Sequence, residues 1–196
     1  MNKKNIWILI LLIIGISGIV AVEGYAKPKV REQEARYAAE QQNPYTHDIS
    51  RTLQFKSKYM GDAGNLMNLN NSLPFNELNR TYQLYPDELT AELKFPNSSV
   101  YVDAAKLKEM LVYNTIANFA MIDNLQVLRL TFEDITFTIH RKAVEEWYGG
   151  EDSLRPLQNE KQWHEVVQTK MKDNAYIEQF NEQLVEKNFI EGNKRR

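Results

Sequence analysis

One short stretch of the sequence contains the residue types of a zinc site. His164 is followed by Glu165 and, one helical turn after the histidine, by Gln168. Helical zinc proteases have a second histidine at that position, because ligands four residues apart on one helix face can hold one metal ion. With an amide there the site lacks its second ligand. The pattern therefore predicts a solvated helix face and no metal centre.

Carboxylates are the other groups that could catalyse a reaction. Asp123, Asp134, Glu145 and Glu146 could in principle pair for acid–base work. Their spacing is equally typical of helix caps and turns, so we expect structural roles for them. The sequence shows no dinucleotide-binding glycine pattern and no Ser/His/Asp arrangement. It predicts no catalytic residue, no metal ion and no cofactor.

Composition excludes several classes of protein. The chain has 196 residues and no cysteine, which removes disulfides, thiolate nucleophiles, iron–sulfur clusters and cysteine-based zinc sites. Its formal net charge of −2 provides no electrostatic footprint for nucleic acid. An apolar content of 43%, with 11% aromatic residues, is enough to form a folded core. We expect one domain of ordinary size.

The N-terminus has the pattern of a membrane anchor. Lys3 and Lys4 precede an uncharged apolar run at residues 6–22, which as a helix would extend about 25 Å. The small residues around Tyr25 resemble a signal cleavage site, but Glu23 and Tyr25 are unusual there. We therefore expect residues 1–26 to be an uncleaved transmembrane anchor.

The flanking charges predict which side of the membrane the domain occupies. Lys3 and Lys4 favour a short tail inside the cell, which sends the C-terminal domain outside. Lys27, Lys29 and Arg31 lie just beyond the run and oppose this orientation. We expect a single-pass membrane protein whose C-terminal domain is extracytoplasmic.

The anchor is followed by a predicted helical stalk at residues 27–46. Residues 29–42 are strong helix formers with few apolar side chains, and Pro44 ends the stretch. Residues 47–190 then form the predicted extracytoplasmic domain, and residues 191–196 a flexible basic tail.

The domain opens with two predicted helices. The first covers residues 47–59. The second begins after Asp62, which is well placed to cap a helix that runs toward Asn71. The alternative for Gly61-Asp62, a phosphate-binding loop, lacks the spacing and the lysine of a P-loop.

Alternation of apolar and polar residues predicts four strands, at residues 80–85, 89–95, 128–132 and 135–139. Glu133-Asp134 predicts a tight hairpin between the last two. A helix at residues 103–122 separates the two strand pairs, and its apolar second half predicts the most buried helix. Three further helices are predicted at residues 141–148, 159–171 and 173–187, with Gly149-Gly150 ending the first.

These elements predict an α+β fold: a small antiparallel sheet with a ββαββ core and flanking helices, preceded by one transmembrane helix. One face of the sheet is expected to be polar, which an antiparallel sheet with one solvated face explains without a ligand. The same face could also be a contact surface. Its residues are Thr90, Glu92, Lys94, Arg129, Thr131, Thr136, Thr138 and His140.

Three stretches carry a resemblance to a known family: residues 58–74, residues 113–125, and the hairpin that continues into residues 141–149. Together they resemble an uncharacterised, membrane-anchored extracytoplasmic domain family of Bacillus-type Gram-positive bacteria, a domain of unknown function. The resemblance implies surface exposure and favours sensing or partner binding. It supplies no catalytic residues, and the matching positions could equally be determinants of the fold.

Two function classes follow. The first is a non-enzymatic sensing or binding domain at the cell surface, whose partner is an envelope protein or peptide. The second is a cell-envelope hydrolase that uses carboxylates alone, with Asp62 and Asp123 as candidates. Self-association through the stalk is a third possibility. The candidate binding residues are Gly61, Asp62, Tyr113, Asn114, Arg129, Thr138 and His140.

Overall fold

The computed structural model describes residues 2–190, so the predicted tail at 191–196 lies outside the described residues. The chain separates into two units, Met1–Glu40 and Gln41–Arg196. The predicted ends of the anchor at residue 26 and of the stalk at residue 46 remain predictions.

The N-terminal unit is helical. It consists of α1 (Lys3–Ala21), a short π-helical segment (Val22–Ala26) and most of α2 (Lys27–Gln41), which confirms the helix predicted at residues 29–42. Within the described residues, Lys3–Gln41 is the one helix long and apolar enough to cross a membrane. The described apolar side chains of α1 are exposed, as lipid-facing side chains must be. A signal sequence near an N-terminus satisfies the same criteria of helix length and hydropathy.

The C-terminal unit contains a five-stranded sheet in the order β1 (Thr81–Tyr85), β2 (Thr90–Lys94), β3 (Val127–Thr131), β4 (Ile135–His140), β5 (Glu186–Phe189). All neighbours are antiparallel except β2 and β3, which are parallel. The four predicted strands are present. The prediction of an antiparallel ββαββ sheet is wrong for the pairing of β2 with β3, which is parallel. The prediction also did not include β5.

The parallel pairing follows from the helix between β2 and β3. Helix α4 (Ala104–Met121) carries the chain back along the sheet, so that β3 starts at the same end as β2. Asp103 caps α4 by accepting hydrogen bonds from the backbone N–H groups of Ala105 and Lys106. Residues 110–121 are all buried, which confirms that this is the most buried helix. Alternation within a strand reports its face but not its direction.

The fifth strand replaces the end of a predicted helix. The helix predicted at residues 173–187 stops at Gln183, as α8 (Asn174–Gln183), and β5 follows after two residues. Residues 186–189 pair with β4 in antiparallel register. The free edge of β4 provides backbone hydrogen-bonding groups to which a distant part of the chain can pair. Local periodicity in the sequence does not reveal such a partner.

The helix predicted at residues 47–59 is wrong. The segment instead contains two 3₁₀ turns, Ile49–Arg51 and Leu53–Phe55. It then extends beside the end of α4, where Ser57 donates its N–H to Met121 and accepts from the N–H of Asp123. Those tertiary hydrogen bonds require extended backbone, so the chain cannot continue as a helix.

Several local predictions are confirmed. Asp62 caps α3 (Ala63–Ser72) by accepting from the N–H of Asn65. The β3–β4 hairpin is present. It leads directly into α5 (Arg141–Trp147), and the chain then reverses at Gly149, whose φ of +113° favours glycine.

The helix predicted at residues 159–171 forms as α6 (Glu160–Trp163), a π-helical turn (His164–Gln168) and α7 (Thr169–Met171). Its buried side chains pack with α4, α8 and the apolar face of the sheet into one core. The part of the chain that follows β4 contributes these core members: Val144, Leu154, Leu157, Trp163, Val167, Met171, Ile177, Phe180 and Val185.

Candidate functional site: the polar face of the sheet

The strand register brings the predicted polar residues onto one face. Directly opposed residues of neighbouring strands point to the same side of a sheet, so the pairing defines three rows. The central row crosses all five strands and contains Gln83, Glu92, Arg129, Thr138 and Glu186. The rows beside it contain Thr81, Lys94, Thr131, Thr136 and Asn188, and Tyr85, Thr90, Val127 and His140.

Glu92 lies at the centre of this face and is only 8% exposed. Its carboxylate accepts hydrogen bonds from the Thr131 hydroxyl at 2.7 Å and from the Tyr85 hydroxyl at 2.7 Å. The Lys94 ammonium lies 3.4 Å away. Burial raises the pKa of Glu92, but these hydrogen bonds and the lysine charge outweigh it, so the pKa is lowered. The face is therefore built around a carboxylate held in its charged form.

Arg129 is the neighbour of Glu92 in the same row. Its guanidinium lies 5.7 Å from the centre of the Tyr85 ring and 3.4 Å from the Glu88 carboxylate. Those are its only charged or aromatic contacts within the described residues. A guanidinium carries five N–H donors, and within the described residues Arg129 uses one hydrogen bond, to Glu88, so the other donors have no protein acceptor.

Thr138 and His140 continue the face on β4. Thr138 is directly opposite Arg129 and is buried, yet its hydroxyl has no protein partner among the described residues. His140 is exposed, with its Nε2 atom 3.5 Å from the Glu186 carboxylate of β5. The structure thus brings the predicted residues Arg129, Thr138 and His140 together on one surface.

The other four predicted site residues do not share a groove. Gly61 and Asp62 are exposed, and the Asp62 carboxylate is occupied as the cap of α3. Tyr113 and Asn114 are buried inside α4. The Gly61-Asp62 turn is instead anchored next to the end of α4, where Asn124 accepts from the N–H of Met60 at 2.6 Å.

Tyr113 belongs to a buried hydrogen-bond chain. The Trp163 indole donates to the Tyr113 hydroxyl at 2.9 Å, and that hydroxyl lies 2.8 Å from Nδ1 of His47. The other ring nitrogen of His47 lies 2.7 Å from the Ser72 carbonyl, which makes Nε2 the donor and Nδ1 the acceptor. Burial raises the pKa of Tyr113. This network holds the segment that enters the domain.

Asn114 begins a second buried network, made of amides. Its Nδ2 donates to the Pro74 carbonyl at 3.0 Å, while its Oδ1 has no hydrogen-bond partner within residues 2–190. One turn later Asn118 exchanges two hydrogen bonds with Asn70, at 2.9 and 3.0 Å. These contacts connect α4 to α3 and to the segment that follows α3. The geometry therefore indicates a structural role for Asn114.

Part of this unit matches a known family. Residues 52–143 match the family described as a domain of unknown function, DUF4825. No curated protein and no solved structure matches the chain.

The DUF4825 segment contains α3, α4 and strands β1 to β4, and so nearly the whole polar face. It ends just after Arg141, whose guanidinium donates to the carbonyls of Phe119, Ile122 and Leu125. A cation at these carbonyls neutralises the negative end of α4. The match bears out the expectation of a domain of unknown function.

A small polar pocket of about 160 Å³ adjoins this arginine. Three carboxylates, those of Asp123, Glu145 and Asp152, line it. Glu145 is bound to Arg141 at 3.1 Å, and Asp62 does not line the pocket. The predicted pairing of Asp62 with Asp123 across one cleft is therefore absent from this pocket.

In the zinc-like stretch the prediction of a solvated helix face holds for His164 and Glu165 but is wrong for Gln168, which is buried. The Gln168 side chain donates its N–H groups to the carbonyls of Pro44 and His47, and its amide oxygen accepts from Nδ1 of His164 at 3.0 Å. Within the described residues no group of three metal-ligating side chains could hold a metal ion.

Sequence reasoning missed Tyr85 and Glu88 as parts of the site. Tyr85 ends β1 on the polar side of its alternation with Leu84, and this signal was available. Glu88 reaches Arg129 from the 3₁₀ turn Pro86–Glu88, and Leu89 then takes a left-handed conformation, with φ of +48°, before β2 begins. A leucine in that conformation is not predictable from local sequence.

Proposed function

We propose that this protein is a membrane-anchored, non-enzymatic binding domain that recognises an envelope protein or peptide through its polar sheet face. The domain stands outside the cell membrane, as the basic residues before the apolar run indicate. The resemblance to a Gram-positive surface family supports the same placement.

One observation carries the proposal: Glu92 and Tyr85 hold the face in a fixed arrangement, while the Arg129 guanidinium keeps open donors at its centre. Arginine and tyrosine are enriched among the residues that dominate binding energy. A partner that presents a carboxylate, such as an acidic side chain, would complete the hydrogen bonding of Arg129.

Site-specific photo-crosslinking in living cells tests the proposal. A photoreactive residue at Gln83, an exposed member of the central row, should give one defined adduct, and the Arg129→Ala change should abolish it. Arg155→Ala is the matched control, because Arg155 is exposed elsewhere and should leave the adduct intact. An adduct that is unaffected by Arg129→Ala, or no adduct from Gln83, contradicts binding at this face.

The orientation has its own test, since the chain lacks cysteine. A membrane-impermeant thiol reagent should label a Lys172→Cys variant in intact cells and an Asn2→Cys variant only after lysis. The reverse pattern would place the domain inside. Recovery of the full-length mass in the membrane fraction distinguishes an anchor from a cleaved signal sequence.

The alternative function, a carboxylate-only envelope hydrolase, has one supporting observation, the three carboxylates of the polar pocket. Ligand sites usually enclose about 300–1,000 Å³, so this pocket is small for a glycan. Release of soluble fragments from purified cell wall, lost on Asp123→Asn, would establish the hydrolase and remove the binding proposal. If the wall stays intact after incubation with the full-length protein, the result counts against the hydrolase.

A further inference from the structure

The domain exposes large apolar side chains on two segments that meet at one end of the sheet, here called the apolar cluster. Within residues 41–190, six large apolar side chains are exposed, and the three most exposed are Tyr101 at 81%, Phe189 at 78% and Val100 at 76%. Ile190 is a fourth, at 43%. Single exposed apolar residues are ordinary, but a cluster marks a contact surface.

Asp134, in the β3–β4 hairpin, brings the four residues together. Its carboxylate accepts from the N–H of Ser99 at 2.6 Å and from the Ser99 hydroxyl at 2.7 Å. Its carbonyl accepts from the N–H of Ile190 at 2.8 Å. The Val100-Tyr101 turn and the Phe189-Ile190 end of β5 therefore attach to one residue.

The turn is held in place rather than loosely attached. Ser98 caps it by accepting from the N–H of Val100, and the N–H of Glu133 donates to the Asn97 carbonyl. Burial raises the pKa of Asp134, but the Ser99 hydrogen bonds outweigh it and lower the pKa, so the carboxylate stays charged. Exposing Val100 and Tyr101 is thus a property of the folded structure.

A lipid bilayer is the partner that the chain itself supplies. The N-terminal helix is long and apolar enough to cross a membrane, and a tethered domain meets the bilayer at high effective concentration. Tyrosine and phenylalanine suit the membrane interface, where an apolar ring is buried and a hydroxyl stays wet. Because the tether makes this contact intramolecular, fewer inserted side chains are needed than for an untethered domain.

Charge near the cluster is mixed. Lys187 is exposed on β5, whereas Glu133 is exposed on the hairpin. Basic residues favour anionic lipid and the acidic residue opposes it. Apolar insertion must therefore be the main attraction, and lipid charge a modulator.

We propose that Val100, Tyr101, Phe189 and Ile190 form a second membrane contact, which inserts into the interface of the bilayer that anchors the chain. This inference rests on the membrane anchoring in the proposed function, and not on partner binding at the polar face. It requires the domain to turn this end of its sheet toward the lipid.

The absence of cysteine allows a direct test with the full-length protein. A Val100→Cys variant carrying an environment-sensitive fluorophore is reconstituted into phosphatidylcholine vesicles, with or without an equal part of phosphatidylglycerol. Its emission should shift to shorter wavelength, and a quencher attached to the lipid chains should reduce its intensity. A Tyr59→Cys variant is the matched control, because Tyr59 is exposed near the opposite end of α4 and should show neither effect.

Two further measurements make the outcome decisive. Adding Tyr101→Ser and Phe189→Ser to the Val100→Cys variant should restore the emission of a water-exposed fluorophore, while flotation with the vesicles is unchanged. Unquenched fluorescence at Val100 in protein that floats overturns the second contact. A shift that grows with the protein-to-lipid ratio and resists the lipid quencher shows contact with a second copy, which also overturns it. Protein that does not float shows that anchoring itself has failed.

Discussion

One of the two buried polar networks of the core can be compared with the polar network on the sheet face. In the core, the His47–Tyr113–Trp163 chain uses both histidine nitrogens. On the face, both carboxylate oxygens of Glu92 accept hydrogen bonds, whereas Arg129 beside it makes one long hydrogen bond, to Glu88. A closed network can only stabilise the fold, whereas a network with open donors at its edge can also bind. This difference is why the proposed binding site lies on the face and not in the core.

The amide pair of the core should show the largest effect on stability. Asn70→Ala leaves the buried Asn118 amide without its two partner hydrogen bonds, and we expect a loss of about 2–3 kcal/mol in the free energy of unfolding. Chemical denaturation measures it. Asn68→Ala, at an exposed position of the same helix, should change stability by at most about 0.5 kcal/mol. Equal losses for both variants would contradict a structural role for the pair.

The histidine of the core should make stability depend on pH. Burial lowers the pKa of His47 below its ordinary value of 6.5, although the Ser72 carbonyl and Asp48 raise it. The unfolded chain therefore takes up the proton more readily. The stabilisation is present above pH 6.5 and is lost below it, by at most about 1.4 kcal/mol per pH unit.

Thermal melting between pH 7 and pH 5 measures this dependence. The His47→Asn variant should lose part of the dependence, and the matched His164→Asn variant, at an exposed position, should keep it. A wild-type profile that coincides with that of His47→Asn would show that the buried histidine does not cause the change.

The carboxylate at the centre of the face should have a smaller effect on stability. Glu92→Gln weakens the charge-assisted hydrogen bonds from Thr131 and Tyr85, and we expect a loss of about 1 kcal/mol at pH 7. Because the pKa of Glu92 is lowered in the fold, the wild-type advantage is present above the unfolded pKa and declines as acid protonates the folded carboxylate. Denaturation at pH 7 and pH 3 should show the gap between variant and wild type closing.

Arg129 should have the smallest effect on stability. Its contacts are one long ion pair and one ring contact, so Arg129→Ala should change the free energy of unfolding by at most about 0.5 kcal/mol. The same change should remove partner crosslinking. A large loss of stability would place Arg129 with the structural network and erase the contrast between the two regions.

Much of the fold could be predicted from the sequence because its signals are local. Asp62 and Asp103 are predicted and observed helix caps, and the alternation in β3 and β4 is visible along the chain. The parallel direction of β3 and the pairing of β5 were not predictable, because both depend on contacts between distant residues. The π-helical turn at His164–Gln168 likewise leaves no clear pattern in the sequence.

The site could be predicted only in part. Period-two alternation was enough to bring Arg129, Thr138 and His140 onto one face. Tyr113 and Asn114 are polar residues in a helix with several apolar faces, so sequence alone did not show that both side chains are buried and hydrogen-bonded within the core. Which polar groups stay open is a property of the packed structure.

The pairing of β5 with β4 determines how short the chain can be made. The DUF4825 match ends at residue 143, yet Trp163 and Phe180 complete the core and β5 covers the edge of β4. A protein cut at that border would expose an apolar surface and a bare strand edge, both of which promote aggregation. A folded C-terminal unit therefore requires the chain at least as far as Phe189.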